Sequence, residues 1–175
     1  AGQFADVGFD MYATLLEEAV SALRGEEPSD ECEPDVNLKV SQYIPEEYIP
    51  DARERLGLYQ RLSGVGTDND IDLLTDELSD RYGDVPALVD NLLRTASLRI
   101  VLKRLKATEF KQIGDRLYVT FAKGTDAAIA NRALNLVKKE PKRYRLTPDS
   151  RLIISIDKDA DPLEAARYVL KELEA

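Results

Sequence analysis

Near residue 107 the apolar side chains change from a helical to a strand spacing, and this change sets what the chain can build. Ahead of it, Asp51 is placed to cap a helix with Glu54 three residues on, carrying Leu56, Tyr59 and Leu62 inward as far as Gly64. Thr67 or Asp68 opens a second helix, with Ile71, Leu74, Leu78 and Tyr82 as its buried face and Gly83 as its stop. Pro86 starts a third, longer one, whose apolar face comprises Leu88, Leu92, Leu93, Ala96, Ile100 and Leu105. Beyond the change, residues 109–113 and 117–121 flank Gly114-Asp115, and Leu117, Val119 and Phe121 alternate with Tyr118 and Thr120, the pattern of a hairpin. A helix over about 126–139 buries Ile129, Ala133, Leu136 and Val137. A second hairpin over 143–146 and 151–156 turns at Pro148-Asp149, and Asp161 caps a last helix that starts at Pro162. The expected fold class is α+β: a helical half followed by two antiparallel hairpins with covering helices.

The 36 residues at the start have a different character. They hold ten Asp and Glu against one basic residue, Arg24, whereas the other 139 hold 23 acidic and 23 basic side chains and sum to zero. Phe9, Tyr12, Leu16, Ala19, Val20 and Leu23 recur at helical spacing, so 1–25 is expected to carry an amphipathic helix that packs on a neighbouring module through Phe9, Tyr12 and Leu16. Residues 26–36 are acidic and broken by proline, the composition of a flexible linker. A short strand is expected over 36–43, where Val36, Leu38 and Val40 alternate with polar residues, so the main body is taken as 37–175. The chain opens Ala1-Gly2-Gln3 without a charged leader or a long apolar run, which reads as a piece of a longer protein with no signal peptide and no membrane span. The single cysteine, Cys32, fits a reducing cytoplasm.

Several chemistries are excluded by residue type. With no histidine there is no imidazole base and no His-ligated metal, and no GxxxxGK[ST] run occurs to hold nucleotide phosphates. Asp157, Asp159 and Asp161 imitate the start of a calcium loop, but Pro162 and Tyr168 stand where glycine and glutamate are needed. No catalytic residue, metal ligand or cofactor is expected in the chain. Charge is uneven within the body: residues 94–151 hold fifteen Lys and Arg against five acids, and 37–93 hold five against twelve. A DNA-binding surface built on Lys103, Arg104, Lys106, Lys138, Lys139, Lys142 and Arg143 is one reading; a basic half beside an acidic half, with solvated charges, is the favoured one.

The run Val7-Gly8-Phe9-Asp10-Met11-Tyr12-Ala13-Thr14-Leu15-Leu16-Glu17-Glu18-Ala19-Val20 resembles the segment closing the motor of the bacterial transcription-repair coupling factors. The resemblance continues through Tyr48-Ile49-Pro50-Asp51, Arg55-Leu56 with Tyr59 and Arg61, Glu77-Leu78-Ser79-Asp80-Arg81-Tyr82-Gly83 with Pro86, and 141–146, so it covers nearly the whole chain. It implies a C-terminal regulatory domain, with 1–25 as the last helix of the preceding translocase module. Proteins of that family use ATP and Mg to move on duplex DNA, displace stalled RNA polymerase and recruit the repair protein UvrA. Their C-terminal domain is understood to clamp on the protein's own N-terminal UvrA-binding module. The resemblance carries that docking role to Glu77, Asp80 and Arg81. Helix geometry independently makes these three neighbours, with Leu73 one turn earlier as an apolar residue the helix does not need for its own core. The plain alternative is a Glu77–Arg81 pair on a solvated face, worth about 0.3–0.5 kcal/mol.

Overall fold

The computed structural model describes residues 33–174. They form β1 (Asp35–Asn37), α1 (Ala52–Gly64), α2 (Asp68–Tyr82), α3 (Ala87–Arg104), β2 (Ala107–Ile113), β3 (Arg116–Phe121), α4 (Ala127–Lys139), β4 (Tyr144–Leu146), β5 (Arg151–Ser155) and α5 (Pro162–Glu174). The expected α+β class stands, and both hairpins form as antiparallel pairs. Two compact units share the chain. One spans Ser41–Ile100; the other takes residues 33–40 and everything from Val101 onward.

In the first unit, Ile44, Ile49, Leu58, Leu62, Ile71, Leu74, Leu78 and the α3 residues Val89, Leu92, Leu93, Ala96 and Ile100 make one apolar core. Burying each leucine-sized side chain is worth about 1.5–3 kcal/mol relative to leaving it in water. The α2 face is the expected one. On α1 the expectation is corrected: Leu58 and Leu62 are buried, while Leu56 is 39% exposed. Leu58 lies one turn before Leu62, so the two share a stripe that Leu56 misses. Asp51 caps α1 by accepting from the amide of Arg53, and Glu54 does not complete a capping box. Tyr59 is held at the margin of this core, where its hydroxyl accepts from the Ile44 amide at 2.9 Å.

The second unit is a five-stranded sheet in the order β1-β2-β3-β5-β4. Its short first strand departs from expectation: it covers Asp35–Asn37 instead of 36–43, and it pairs parallel with β2, Val36 opposite Phe110. Strand formation therefore begins inside the segment expected to be a linker, because Val36 is buried at the sheet edge. Leu117, Val119, Phe121, Leu152 and Ile154 form the buried side of the sheet. α4 packs against β4 and α5, and the stripes Ile129, Ala133, Leu136 and Leu163, Ala166, Val169, Leu170, Leu173 are the buried sides of those helices. The alternate strand positions, including Arg116, Tyr118, Arg145, Ile153 and Ser155, are exposed or half-buried on the other side. Among the described residues no helix is long and apolar enough to cross a membrane.

Candidate functional site

α2 carries the docking residues expected from the sequence. Thr67 caps it by accepting from the Asp70 amide, and Asp68 and Asp70 place negative charge at the positive end of the helix dipole. The helix stops at Gly83, where φ is +85°, a conformation that costs a side-chain-bearing residue strain. With Ile71, Leu74 and Leu78 turned to the core, Leu73, Glu77, Asp80 and Arg81 fall on the other side. Leu73 is 60% exposed, an unusual degree for a leucine on a helix whose apolar stripe is otherwise buried.

The four residues share one side of α2, and the plain alternative of an intrahelical ion pair does not form. Glu77 and Arg81 do not pair with each other. Arg61 of α1 donates to Glu77 at 2.5 Å, and Arg81 donates to Glu54 of α1 at 3.2 Å. Glu54 also accepts from the Tyr82 hydroxyl at 2.6 Å, and the Arg81 guanidinium lies 5.1 Å from the centre of the Tyr82 ring. Tyr82 is fixed from behind by Tyr48: the rings are 5.7 Å apart, and the Tyr48 hydroxyl donates to the carbonyls of Leu78 and Gly83. Asp80 is exposed and has no ion pair among the described residues.

This arrangement leaves its mark on the titrating groups. The hydrogen bond from Arg61 holds the Glu77 carboxyl below the usual range, so Glu77 stays ionised under mildly acidic conditions. The bond to Glu54 raises the Tyr82 phenol above its ordinary value, because the neutral hydroxyl is the donor. Between α1 and α2 these side chains wall a shallow groove of about 370 Å³. Gly57 lies on its α1 side, and a Cβ there would meet nothing within 4 Å. The result is a charged frame bridging α1 and α2, with Leu73 exposed one turn earlier on α2 and room in the groove for an incoming side chain.

Glu54, Arg61 and Gly57 were not assigned to the site by sequence reasoning. A signal existed: Glu54 and Arg61 are two turns apart on one face of α1, with charges opposite to those their partners carry on an antiparallel neighbour. Phe9, Tyr12, Leu16 and Cys32 lie outside the described residues. Of the seven basic residues of the alternative DNA surface, Lys103 pairs with Glu33 and Arg104 with Glu174.

Residues 38–131 match the family described as TRCF domain, over half of the chain and including the whole of α1, α2 and α3. The chain belongs to the transcription-repair coupling factor family. It is 38% identical over 99% of its length to the transcription-repair-coupling factor of Myxococcus xanthus, and 32% identical over 99% to that of Escherichia coli. The Bacillus subtilis protein is 29% identical over 76% of the chain. The chain spans 15% of the Myxococcus protein and 16% of the Escherichia protein. Its fold resembles a crystal structure of the C-terminal domain of a transcription-repair coupling factor, with a TM-score of 0.68 at 18% identity, covering 82% of this chain and 92% of that one. Every residue of the α1–α2 frame falls within the segment that carries the family match.

Proposed function

We propose that this chain is the C-terminal regulatory domain of a transcription-repair coupling factor and acts as an autoinhibitory clamp on the protein's own N-terminal UvrA-binding module. In this reading the parent protein uses ATP and Mg to translocate on duplex DNA and displace stalled RNA polymerase. The clamp withholds UvrA binding until the motor is engaged, a task that requires a surface and no catalytic group.

The observation that carries the reading is the α2 surface. Leu73 stands open to solvent beside Glu77 and Arg81, which are each braced from α1 while Asp80 remains available. An apolar centre with a charged rim, pre-organised by a second helix, loses less side-chain entropy on binding than free surface side chains would. Its intrinsic affinity need not be high, since a tether raises the effective concentration of a partner in the same chain to about the mM range.

The test is UvrA binding by the full-length protein carrying Glu77→Ala, Asp80→Ala and Arg81→Ala together. Exposed ion pairs contribute about 0–1 kcal/mol each, so the fold survives their loss. The expected result is tighter UvrA binding, approaching that of a protein lacking this domain. Unchanged affinity in the triple variant would remove the docking assignment.

A further inference from the structure

Ion pairing in the described residues is selective. Arg55, Arg61, Arg81, Lys103, Arg104 and Lys111 each reach a carboxylate. At the β3-β5-β4 end of the sheet, Arg116, Lys142, Arg143 and Arg145 line one small cavity of about 100 Å³ together with Ser155, and none of the four has an ion-pair partner among the described residues. Asp115 and Glu140, the carboxylates next in sequence, do not come within pairing distance of them.

Sheet register produces this crowding. Arg116 on β3 is opposite Ser155 on β5, and the Ser155 amide donates to the Arg143 carbonyl at 2.8 Å. Arg116 on β3, Ser155 on β5 and Arg143, the residue just before β4, therefore form a row across this end of the sheet. Arg145 stands one pleat away, opposite Ile153, on the same side of the sheet, because Tyr144 between the two arginines is the residue turned inward. The strand spacing of about 4.8 Å puts the outer members of the row roughly 10 Å apart at the backbone, with the Ser155 hydroxyl-bearing side chain between them. Like charges gathered on one side of the sheet repel, and no carboxylate among the described residues forms an ion pair with them. The space has room for several water molecules and hence for one tetrahedral oxyanion. Three guanidiniums and an ammonium around a hydroxyl make a donor set suited to phosphate oxygens, and arginine binds phosphate in a bidentate manner.

We propose that this cavity is a phosphate site through which the chain holds the sugar-phosphate backbone of duplex DNA. The occupant is a polyanion with many equivalent phosphates, since four unpaired cations exceed the charge of one isolated phosphate. The residues differ from the basic set expected from sequence: Lys142 and Arg143 are common to both, Arg116 and Arg145 enter, the paired Lys103 and Arg104 leave, and Lys106, Lys138 and Lys139 do not line the cavity. The chain's net charge of −9 opposes binding at long range, so attraction depends on local cationic surface such as this cluster and will be steeply salt dependent. The proposal is independent of the clamp.

The experiment is a titration of a fluorescein-labelled 20-base-pair duplex with the full chain between 50 and 200 mM salt. Saturable binding is expected, with a Kd of about 1–100 µM typical of non-specific contacts. Replacing Arg116, Arg143 and Arg145 by Gln together should lower the slope of log affinity against log salt by about 2.7, whereas Lys103→Gln with Arg104→Gln should leave it nearly unchanged. Absence of saturable binding at 50 mM salt, or an unaltered slope in the triple variant, overturns the proposal. A nitrogen-15 amide titration of the unsubstituted chain gives an answer that does not depend on the variant folding. Shifts centred on Arg143, Arg145 and Ser155 with duplex support the site, and shifts centred elsewhere refute it. Shifts at those amides with inorganic phosphate but not with duplex would refute the nucleic acid assignment in favour of a small oxyanion.

Discussion

Replacing Gly57 by alanine separates the stability of the first unit from its proposed docking role. Glycine inside a helix costs about 0.8–1.0 kcal/mol relative to alanine, partly because the unfolded chain is freer. Gly57 is the sixth residue of α1, its φ is not in the left-handed region, and a Cβ would meet nothing within 4 Å. No steric penalty offsets the gain, so Gly57→Ala should stabilise the unit by about 1 kcal/mol. With a urea dependence of about 1–3 kcal/mol per M, the midpoint should rise by roughly 0.3–1 M at constant slope. The new methyl is added at a residue that lines the groove with Glu54, Arg61, Glu77 and Arg81. In the full-length protein it should therefore loosen the clamp and tighten UvrA binding, although the domain itself has become more stable. Urea denaturation followed by circular dichroism reads the first effect, and UvrA affinity reads the second. A lowered or unmoved midpoint would refute the helix argument; a raised midpoint with unchanged UvrA affinity would exclude the groove from the docking surface.

Two other perturbations follow from the same region. A double-mutant cycle with Arg61→Gln and Glu77→Gln should give a coupling of about 0.2–1 kcal/mol at pH 7, as befits an exposed pair. Because the folded-state pKa of Glu77 lies below its ordinary 4.5, that coupling is fully present above pH 4.5 and disappears as the pH falls through the lowered value. A coupling that does not weaken at all as the pH is lowered below the ordinary carboxylate range, read by urea denaturation, would contradict the ion pair. Tyr59→Phe removes the acceptor of the Ile44 amide and should cost about 1–2 kcal/mol in the same assay, with no loss meaning that the amide finds another partner. Burial raises the phenols of Tyr59, Tyr48 and Tyr144 above 10.0, so the unfolded chain ionises first and stability declines only above about pH 10. That decline should be shallower in Tyr59→Phe, and an identical alkaline profile would count against the burial of this hydroxyl.

The helical half was legible because each of its helices carries its own punctuation. Thr67, Gly83 and the Ile71, Leu74, Leu78 stripe define α2 without tertiary information. α1 was less legible: Leu56, Leu58 and Leu62 are all leucines within two turns, and only packing decides that Leu56 stays outside. The strand alternation at Leu117, Val119 and Phe121 showed which sides face in, yet it could not show that β1 runs parallel to β2. A pairing between residues more than seventy positions apart has no local signature. The site divided in the same way. Glu77, Asp80 and Arg81 were placed on one side of α2 by spacing alone, whereas Arg61 and Glu54 enter only when α1 lies alongside. Nor did sequence charge separate Lys103 and Arg104, which the fold neutralises, from Arg116, Arg143 and Arg145, which it leaves open.

The parallel strand β1 also dictates an order of events at the ribosome. Val36 must pair with Phe110, and the whole first unit lies between them in the chain. At a synthesis rate of about 5–20 residues per second, β1 waits roughly 4–15 s after its own emergence before β2 is available. The helices α1 and α2 are complete in that interval and draw on contacts close in sequence, so they fold early while Val36 remains without its partner strand. Slowing translation between residues 40 and 105 would lengthen that exposure without altering a single native contact.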